Sequence, residues 1–352
     1  MTATPVQELR FARVRSGERI AWARTGRPGA PSLIRVAHWL THVEADVRSP
    51  LWGPWVDRLS RSFQLVRYDE RGCGLSTGDE RRLPTLESWL EELAAVVDAH
   101  GASRVALLGV SGAAPVAIAY AARHPERVSH LVLLGGYMNG ALQRGPSPEE
   151  RAFLEAQWQL VETGWSRDDP AVREFFNGRF IPDASPAVRA GMNEQQRLSC
   201  DGPRAALLLR GRALLDVRLL APQVRVPTLV LHGEGDRACP IALGHETAAA
   251  IPGARFESLA SANHVPLGHE PAFERFCEAV VGFITGASRP PVLTPREREL
   301  AALVAQGLDN AQIAAQLGLA DKTVRNALST LYAKLGVDSR ARAVARTRDL
   351  GL

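Results

Sequence analysis

The chain has 352 residues, of which 45% are hydrophobic and 23% charged. That excludes a single small module, at about 150 residues per domain, and a disordered chain, which needs low hydropathy and high net charge. The net charge is only +4, but it is unevenly placed: nine Lys and Arg face six Asp and Glu from Leu293 to Leu352, a balance of +3, against 33 and 32 before that.

The only two lysines, Lys322 and Lys334, lie in this basic C-terminal stretch, as expected of a module that faces a polyanion. Cys73, Cys200, Cys239 and Cys277 stand far apart with no CxxC pair, which argues against a disulfide framework or a zinc site. No apolar run approaches the roughly 18 residues of a membrane helix, and the N-terminus lacks the apolar core of a secretory signal. A cytoplasmic protein with no membrane partner, no cofactor and no metal is expected.

In chain order, short β-branched runs alternate with helical patterns, which predicts an α/β fold with a mostly parallel sheet. Strands are predicted at Leu33–His38, Phe63–Asp69, Arg104–Gly109, His130–Gly135 and Thr228–Gly233, with Ala254–Leu259 as an edge strand. Amphipathic helices are predicted near Leu83–His100 and Ala113–His124. From about Tyr137 to Leu220 the rhythm stops. This stretch carries helix formers, Trp158, Trp165, Phe175, Phe176 and Phe180, and predicts a helical insertion over one end of the sheet. GASRPPV at 286–292 reads as a linker, separating residues 1–285 from 293–352.

The strand Arg104–Gly109 runs straight into Gly109-Val110-Ser111-Gly112-Ala113 and a helix. A sharp strand-to-helix turn needs small neighbours and projects the serine hydroxyl at a helix N-terminus, the geometry of a nucleophile elbow. A serine nucleophile needs a base, and the base an orienting acid, in chain order Ser, acid, His. Asp236 just beyond a strand end and His264 in a later loop meet that order. Among competitors, His245 and His269 read as surface residues, His232 as strand-end packing, and Glu234 lies two residues from Asp236. Asp69 and Arg71 of RYDERG read as turn-forming. Trp39, Trp52, Trp55, Trp158 and Trp165 read singly as core and together as the walls of an apolar pocket. Ser111 is expected within hydrogen-bond reach of His264, which in turn meets Asp236.

With HWLTHVEADVRSPLWGPW, RYDERGCGLS and the elbow, residues Arg10 to Ile284 resemble the α/β-hydrolase superfamily. The resemblance implies an α/β-hydrolase fold with a helical cap and an oxyanion hole built from backbone N–H groups. One is that of Gly112; the other belongs to Leu40, with Trp39 the alternative. Trp39 stands where the superfamily carries glycine. A missing donor costs roughly 10²- to 10³-fold in rate, so weak hydrolysis of generic esters is expected.

After the linker, Thr294, Pro295 and Glu297 form a capping box with proline at the first helical position. A second helical pattern follows Asn310 and ends at Gly318. In the third, from about Asp321 to Leu335, Val324, Leu328, Leu331 and Leu335 form one buried stripe, leaving Lys322, Thr323, Arg325, Asn326 and Ser329 outside it. This is the pattern of a helix-turn-helix. LTPREREL with VAQGLDNAQIAAQLGLADKTVRNALSTLYAKLGVDSRARAVA resembles the DNA-binding domain of LuxR-type transcription regulators. The resemblance implies a small all-α domain whose third helix enters the major groove of duplex DNA. Lys322, Thr323, Arg325 and Asn326, with Lys334 near the end of the helix, become candidate DNA contacts. Ala327 stands where the family often carries histidine. A fourth helix, Arg340–Arg348, would pair with its twin in a homodimer, and RNA polymerase is a further candidate partner. No phosphoacceptor receiver pattern precedes this module. A small ester, lactone or related metabolite is the expected ligand of the first domain, with serine esterase or lactonase turnover the alternative role.

Overall fold

Eight strands form one sheet in the computed structural model, which describes residues 7–78, 81–286, 293–335 and 337–349. They are β1 (Gln7–Arg13), β2 (Arg19–Thr25), β3 (Ser32–Arg35), β4 (Gln64–Tyr68), β5 (Val105–Val110), β6 (Val128–Leu134), β7 (Thr228–Gly233) and β8 (Arg255–Leu259). The order across the sheet is β1-β2-β4-β3-β5-β6-β7-β8. β1 and β2 are antiparallel to their neighbours, and the remaining pairings are parallel.

The β1–β2 hairpin is a correction to the sequence reading, which placed no strand before Leu33. β1 is mostly polar, with Gln, Glu and two Arg, and β2 carries two Ala and two Arg, so neither shows the β-branched run that marks the later strands. Their pairing is decided by burial: Ile20, Ala21, Trp22 and Ala23 are all inside.

Consecutive strand residues point to opposite faces, and both faces are covered. On one face Ile34, Val66, Leu107, Leu131 and Leu133 pack under α3 (Leu86–His100) and α4 (Ala114–Arg123). On the other, Leu33, Leu65, Leu108, Val132 and Leu134 meet Trp55, Val56 and Leu59 of α2 (Trp52–Ser60) and Phe273, Phe276 and Val280 of α10 (Pro271–Thr285). Burial on both sides explains why the central strands read as unbroken apolar runs. Two further helices, α1 (Val43–Arg48) and α9 (Ile241–Ala250), complete the layers.

Between β6 and β7 lie α5 (Pro148–Gly164), α6 (Ala171–Phe180), α7 (Pro186–Ser199) and α8 (Gly202–Ala213). They form the helical cap, and among the described residues its one β pairing is a single bridge between Asn139 and Asp216 at its neck. Ser147 and Glu150 close a capping box on α5, and Ser185 and Asp201 cap α7 and α8.

Contacts divide the chain into two units, Met1–Gly286 and Ala287–Leu352. Of the linker expected at 286–292, residues 287–292 lie outside the described residues. The second unit holds α11 (Pro295–Ala305), α12 (Asn310–Leu317), α13 (Asp321–Leu335) and α14 (Arg340–Asp349) around Leu300, Val304, Ile313, Val324, Leu328, Leu331, Leu335 and Ala343. Capping boxes start α11 (Thr294, Glu297) and α12 (Asp309, Gln312). Gly318 ends α12 in the left-handed region at φ 64°, which glycine enters without a Cβ clash.

Candidate active site

The parallel strands deliver their loops to one edge of the sheet, where sites in such folds are built. β5 ends at Val110, and Ser111 follows at φ +54°, the start of a short 3₁₀ turn that becomes α4. A left-handed serine is strained by of order 1–3 kcal/mol, and the turn holds it there. The neighbouring Gly112 has no room for a side chain, since a Cβ would stand 2.8 Å from Arg212 Cδ and 3.1 Å from Tyr137 Oη.

Asp236 follows β7 and His264 follows β8. His264 Nδ1 donates to Asp236 Oδ2 at 2.6 Å; because a carboxylate only accepts, Nδ1 carries a proton. Asp236 also accepts from the N–H groups of Ala238 and Cys239, and His232 Nε2 lies 3.5 Å away. Burial alone would raise the Asp236 pKa. The His264 charge, the side-chain bonds of His232 and His264, and the Cys239 N–H outweigh that and hold it below the usual carboxylate range. Nε2 of His264 is buried and has no hydrogen-bond partner. The expected bond between Ser111 and His264 is thus not formed, although both residues line the same two cavities. His264 is placed from the cap side: its N–H donates to Phe180 O at 2.8 Å, and Asn263 Oδ1 accepts from Asp183 N–H at 3.1 Å.

β3 ends at Arg35, three residues short of the expected His38, because Val36 makes the last sheet bond to Leu108. His38, Trp39 and Leu40 therefore belong to the loop beside the elbow. Leu40 adopts φ +65° and, with Ser111, is one of two non-glycine residues at positive φ among those described. Its N–H meets no acceptor among the described residues. Trp39 turns into the cap instead, with its ring against Trp165, Phe176 and Phe180 and its Nε1 donating to Ala205 O at 3.2 Å.

Two cavities meet at Ser111. One, about 50 Å³, is lined by His38, Leu40, Trp52, Phe180, Met192, Gln195 and Gln196 with Ser111 and His264. The other is a cleft of about 460 Å³ under the cap, walled by Tyr137, Arg144, Phe153, Trp158, Arg179 and Arg212. Of the expected aromatic wall, Trp39 and Trp52 line the small cavity and Trp39 and Trp158 the cleft, while Trp55 and Trp165 are core. A larger groove of about 900 Å³ runs along α3 and α4 and touches none of Ser111, Asp236 and His264. Among its charged side chains, Arg71–Glu91, Arg123–Glu87 and Arg127–Asp98 are paired, and size alone does not mark the site.

Residues not singled out from sequence complete the surroundings. Arg212 of α8 donates to Gly112 O at 2.8 Å and to Glu70 at 2.7 Å, and Trp89 Nε1 also donates to Glu70. Nothing in their spacing announces this, since Arg212 lies about a hundred residues from Gly112. Asp69 and Arg71 sit where the turn-forming reading put them. Asp69 accepts from the N–H groups of Val43 and Leu75, and Arg71 pairs with Glu91.

In the second unit Lys322, Thr323, Arg325 and Asn326 are exposed along one side of α13, while Val324, Leu328, Leu331 and Leu335 are buried. Arg325 pairs with Asp321 at 2.9 Å within its own helix. Lys334 stands apart from this group, bound to Glu297 of the α11 capping box at 2.7 Å.

With this geometry, the model of the α/β-hydrolase fold family matches residues 45–271. The chain belongs to the α/β-hydrolase family. The model of the luxR family of bacterial regulatory proteins matches residues 291–347, so a LuxR-type DNA-binding domain follows the hydrolase domain on one polypeptide. The hydrolase part is similar to a putative carbamate hydrolase, RutD, of Caulobacter vibrioides, at 25% identity over 67% of this chain and 86% of that protein. It is also similar to the solved enol-lactonase of Burkholderia xenovorans LB400, at 25% identity and a TM-score of 0.66, over 78% of this chain and all of that one. The C-terminal part is 51% identical over 63 residues to a probable HTH-type transcriptional regulator, GfsR, of Streptomyces halstedii, covering 18% of this chain and 26% of that protein. Among the described residues no helix is long and apolar enough to cross a membrane.

Proposed function

We propose that this α/β-hydrolase-family chain is a transcription regulator whose hydrolase domain takes a small ester, lactone or related acyl compound at Ser111, and whose LuxR-type domain reads duplex DNA as a homodimer. The observation that carries the reading is the pairing of a DNA-binding domain with a serine site whose base is already oriented by Asp236. In the proposed chemistry, His264 Nε2 takes the Ser111 proton as Oγ attacks the acyl carbon, and Asp236 steadies the imidazolium. The N–H groups of Gly112 and Leu40 receive the oxyanion, with the backbone N–H of Trp39 the alternative to that of Leu40. Positive φ at both Ser111 and Leu40 supports this, because strained backbone clusters where groups must be aimed. The unmade hydrogen bond between Ser111 and His264 favours slow hydrolysis over fast turnover. Ligand occupancy then biases DNA binding to the extent that the ligand distinguishes two states of the protein.

The similarity to a putative carbamate hydrolase and an enol-lactonase favours a second reading, a serine hydrolase with an accessory DNA-binding module. Gel-shift titration of the full-length protein on its own promoter region, with and without a candidate ester, tests the first reading. Salt-independent or absent DNA binding overturns it. Rapid ester turnover abolished by Ser111→Ala, with DNA binding indifferent to the ester, selects the second.

A further inference from the structure

The small cavity beside Ser111 is walled mostly by apolar side chains, Leu40, Trp52, Phe180, Met192 and Val265. Yet, besides His264, three of its polar side chains carry buried atoms with no partner among the described residues: Nε2 of His38, Oε1 of Gln195, and both amide atoms of Gln196. These residues are 7%, 4% and 3% exposed. Buried polar atoms left unpaired are costly and uncommon, and several around one cavity mark a place where a ligand group completes the bonding.

Their neighbours decide what that group must be. Gln195 Nε2 donates to Asp46 Oδ1 at 2.6 Å, and Asp46 is gripped by Arg35 and by Arg67. An ionised carboxylate only accepts, so the Gln195 amide cannot be flipped, and its Oε1 is an unused acceptor. His38 Nδ1 lies 3.0 Å from Trp39 O. A carbonyl also only accepts, so Nδ1 carries the proton, and Nε2 is a second unused acceptor. Burial, then the nearby Arg35, pushes the His38 pKa down to about 3 and keeps the ring neutral. Gln196 can contribute its Oε1 as an acceptor and its Nε2 N–H groups as donors.

The cavity's size sets the length of the group. A water-sized occupant takes roughly 10–15 Å³ on this measure, so about 50 Å³ admits only a few heavy atoms. Ser111 opens both to this pocket and to the cleft under the cap.

The geometry points to a polar acyl subsite, with the part that stays on Ser111 in this small pocket and the departing alcohol in the roomier cleft: His38, Gln195 and Gln196 select a short acyl group that carries its own O–H or N–H donor, over a plain alkanoyl group. Hydroxyacyl esters and carbamoyl esters share that chemistry. This inference rests on the reading of Ser111 as the acyl acceptor.

The test separates the two. Binding of phenyl 2-hydroxyacetate, phenyl carbamate and phenyl acetate to the full-length Ser111→Ala protein is measured by calorimetry. The two donor-bearing esters are expected to bind roughly 10- to 100-fold tighter than phenyl acetate, the factor for leaving a buried acceptor unpaired. Whichever of the two binds tighter identifies O–H or N–H as the preferred donor. Adding Gln195→Met should bring the ratio toward one; Gln196→Leu, which leaves Asp46 its partner, should reduce it as well. Phenyl acetate binding as tightly as the others, or none of the three binding, overturns the subsite. Wild-type turnover of the three esters reports separately on hydrolysis. Equal turnover that is lost in Ser111→Ala keeps the hydrolase reading and removes the subsite; selective binding without turnover keeps the subsite and removes hydrolysis.

Discussion

Arg212, carried by the last turn of cap helix α8, donates to the backbone carbonyl of Gly112, the residue after Ser111, at 2.8 Å. The cap thus reaches the elbow directly, and the same guanidinium neutralises the fully buried Glu70. Removing one member of a buried pair leaves an uncompensated charge. Arg212→Met should therefore destabilise the hydrolase domain by about 3–5 kcal/mol, read as a lower urea midpoint. Unchanged stability would mean that the Trp89 N–H alone sustains Glu70.

Gly135, at the end of β6, has φ +56°, and a Cβ there would stand 3.0 Å from His264 Cε1 and 3.1 Å from Nδ1. Gly135→Ala should push the imidazole away from Ser111. A shift of a few tenths of an ångström is a fraction of the roughly 1 Å misplacement that costs around 10²-fold in rate, so ester turnover should fall by less than that factor while DNA binding persists. Asp236→Asn, which allows the wrong imidazole tautomer, should cost turnover by about 10⁴-fold. Steady-state kinetics of phenyl ester hydrolysis checks both.

Two buried acids set a pH dependence. Burial, the larger cause, raises Asp69 to about 7, and burial together with the Glu70 charge raises Glu92 to about 8. Both values lie above those of the unfolded chain, so the native state binds more protons between roughly pH 4 and 8. Their contribution to stability is full below that window and lost as pH rises through it. The melting temperature of the hydrolase domain should be lower at pH 9 than at pH 6, and Glu92→Gln should narrow the difference. A melting curve series that Glu92→Gln leaves unchanged would assign the pH dependence elsewhere.

On DNA, the exposed row Lys322, Thr323, Arg325 and Asn326 predicts two kinds of loss. Lys322→Ala should weaken binding to many sequences and lower the salt slope by about one unit if it meets phosphate. Arg325→Ala or Asn326→Ala should cost roughly 1–3 kcal/mol at particular base pairs. Lys334→Ala, which breaks its pair with Glu297, should affect binding less than either. Fluorescence anisotropy across a salt series distinguishes these patterns.

The turn at Ser111 and the pairing of Asp236 with His264 were legible because a sharp turn, a strand end and a loop each leave a local signature; the expected bond from Ser111 to His264 is not formed. The stripe Val324, Leu328, Leu331 and Leu335 was legible because helical periodicity needs no neighbour to interpret it. β1 and β2 were not, since strands without a β-branched run are specified by what they bury against. Arg212 and Gln195 were not, since their partners, Gly112 and Asp46, lie far along the chain.

The sequence by itself determined the two-part organisation, the mostly parallel sheet, the elbow and the helix-turn-helix, because these depend on short-range spacing, caps and small residues. Tertiary structure alone decided that the Trp39 side chain would turn into the cap, that Leu40 would turn left-handed in the loop beside the elbow, and that unpartnered His38, Gln195 and Gln196 atoms would line one small cavity. Each of those outcomes is a contest between burial and hydrogen bonding among distant residues. Such a contest is settled only when the chain has brought them together.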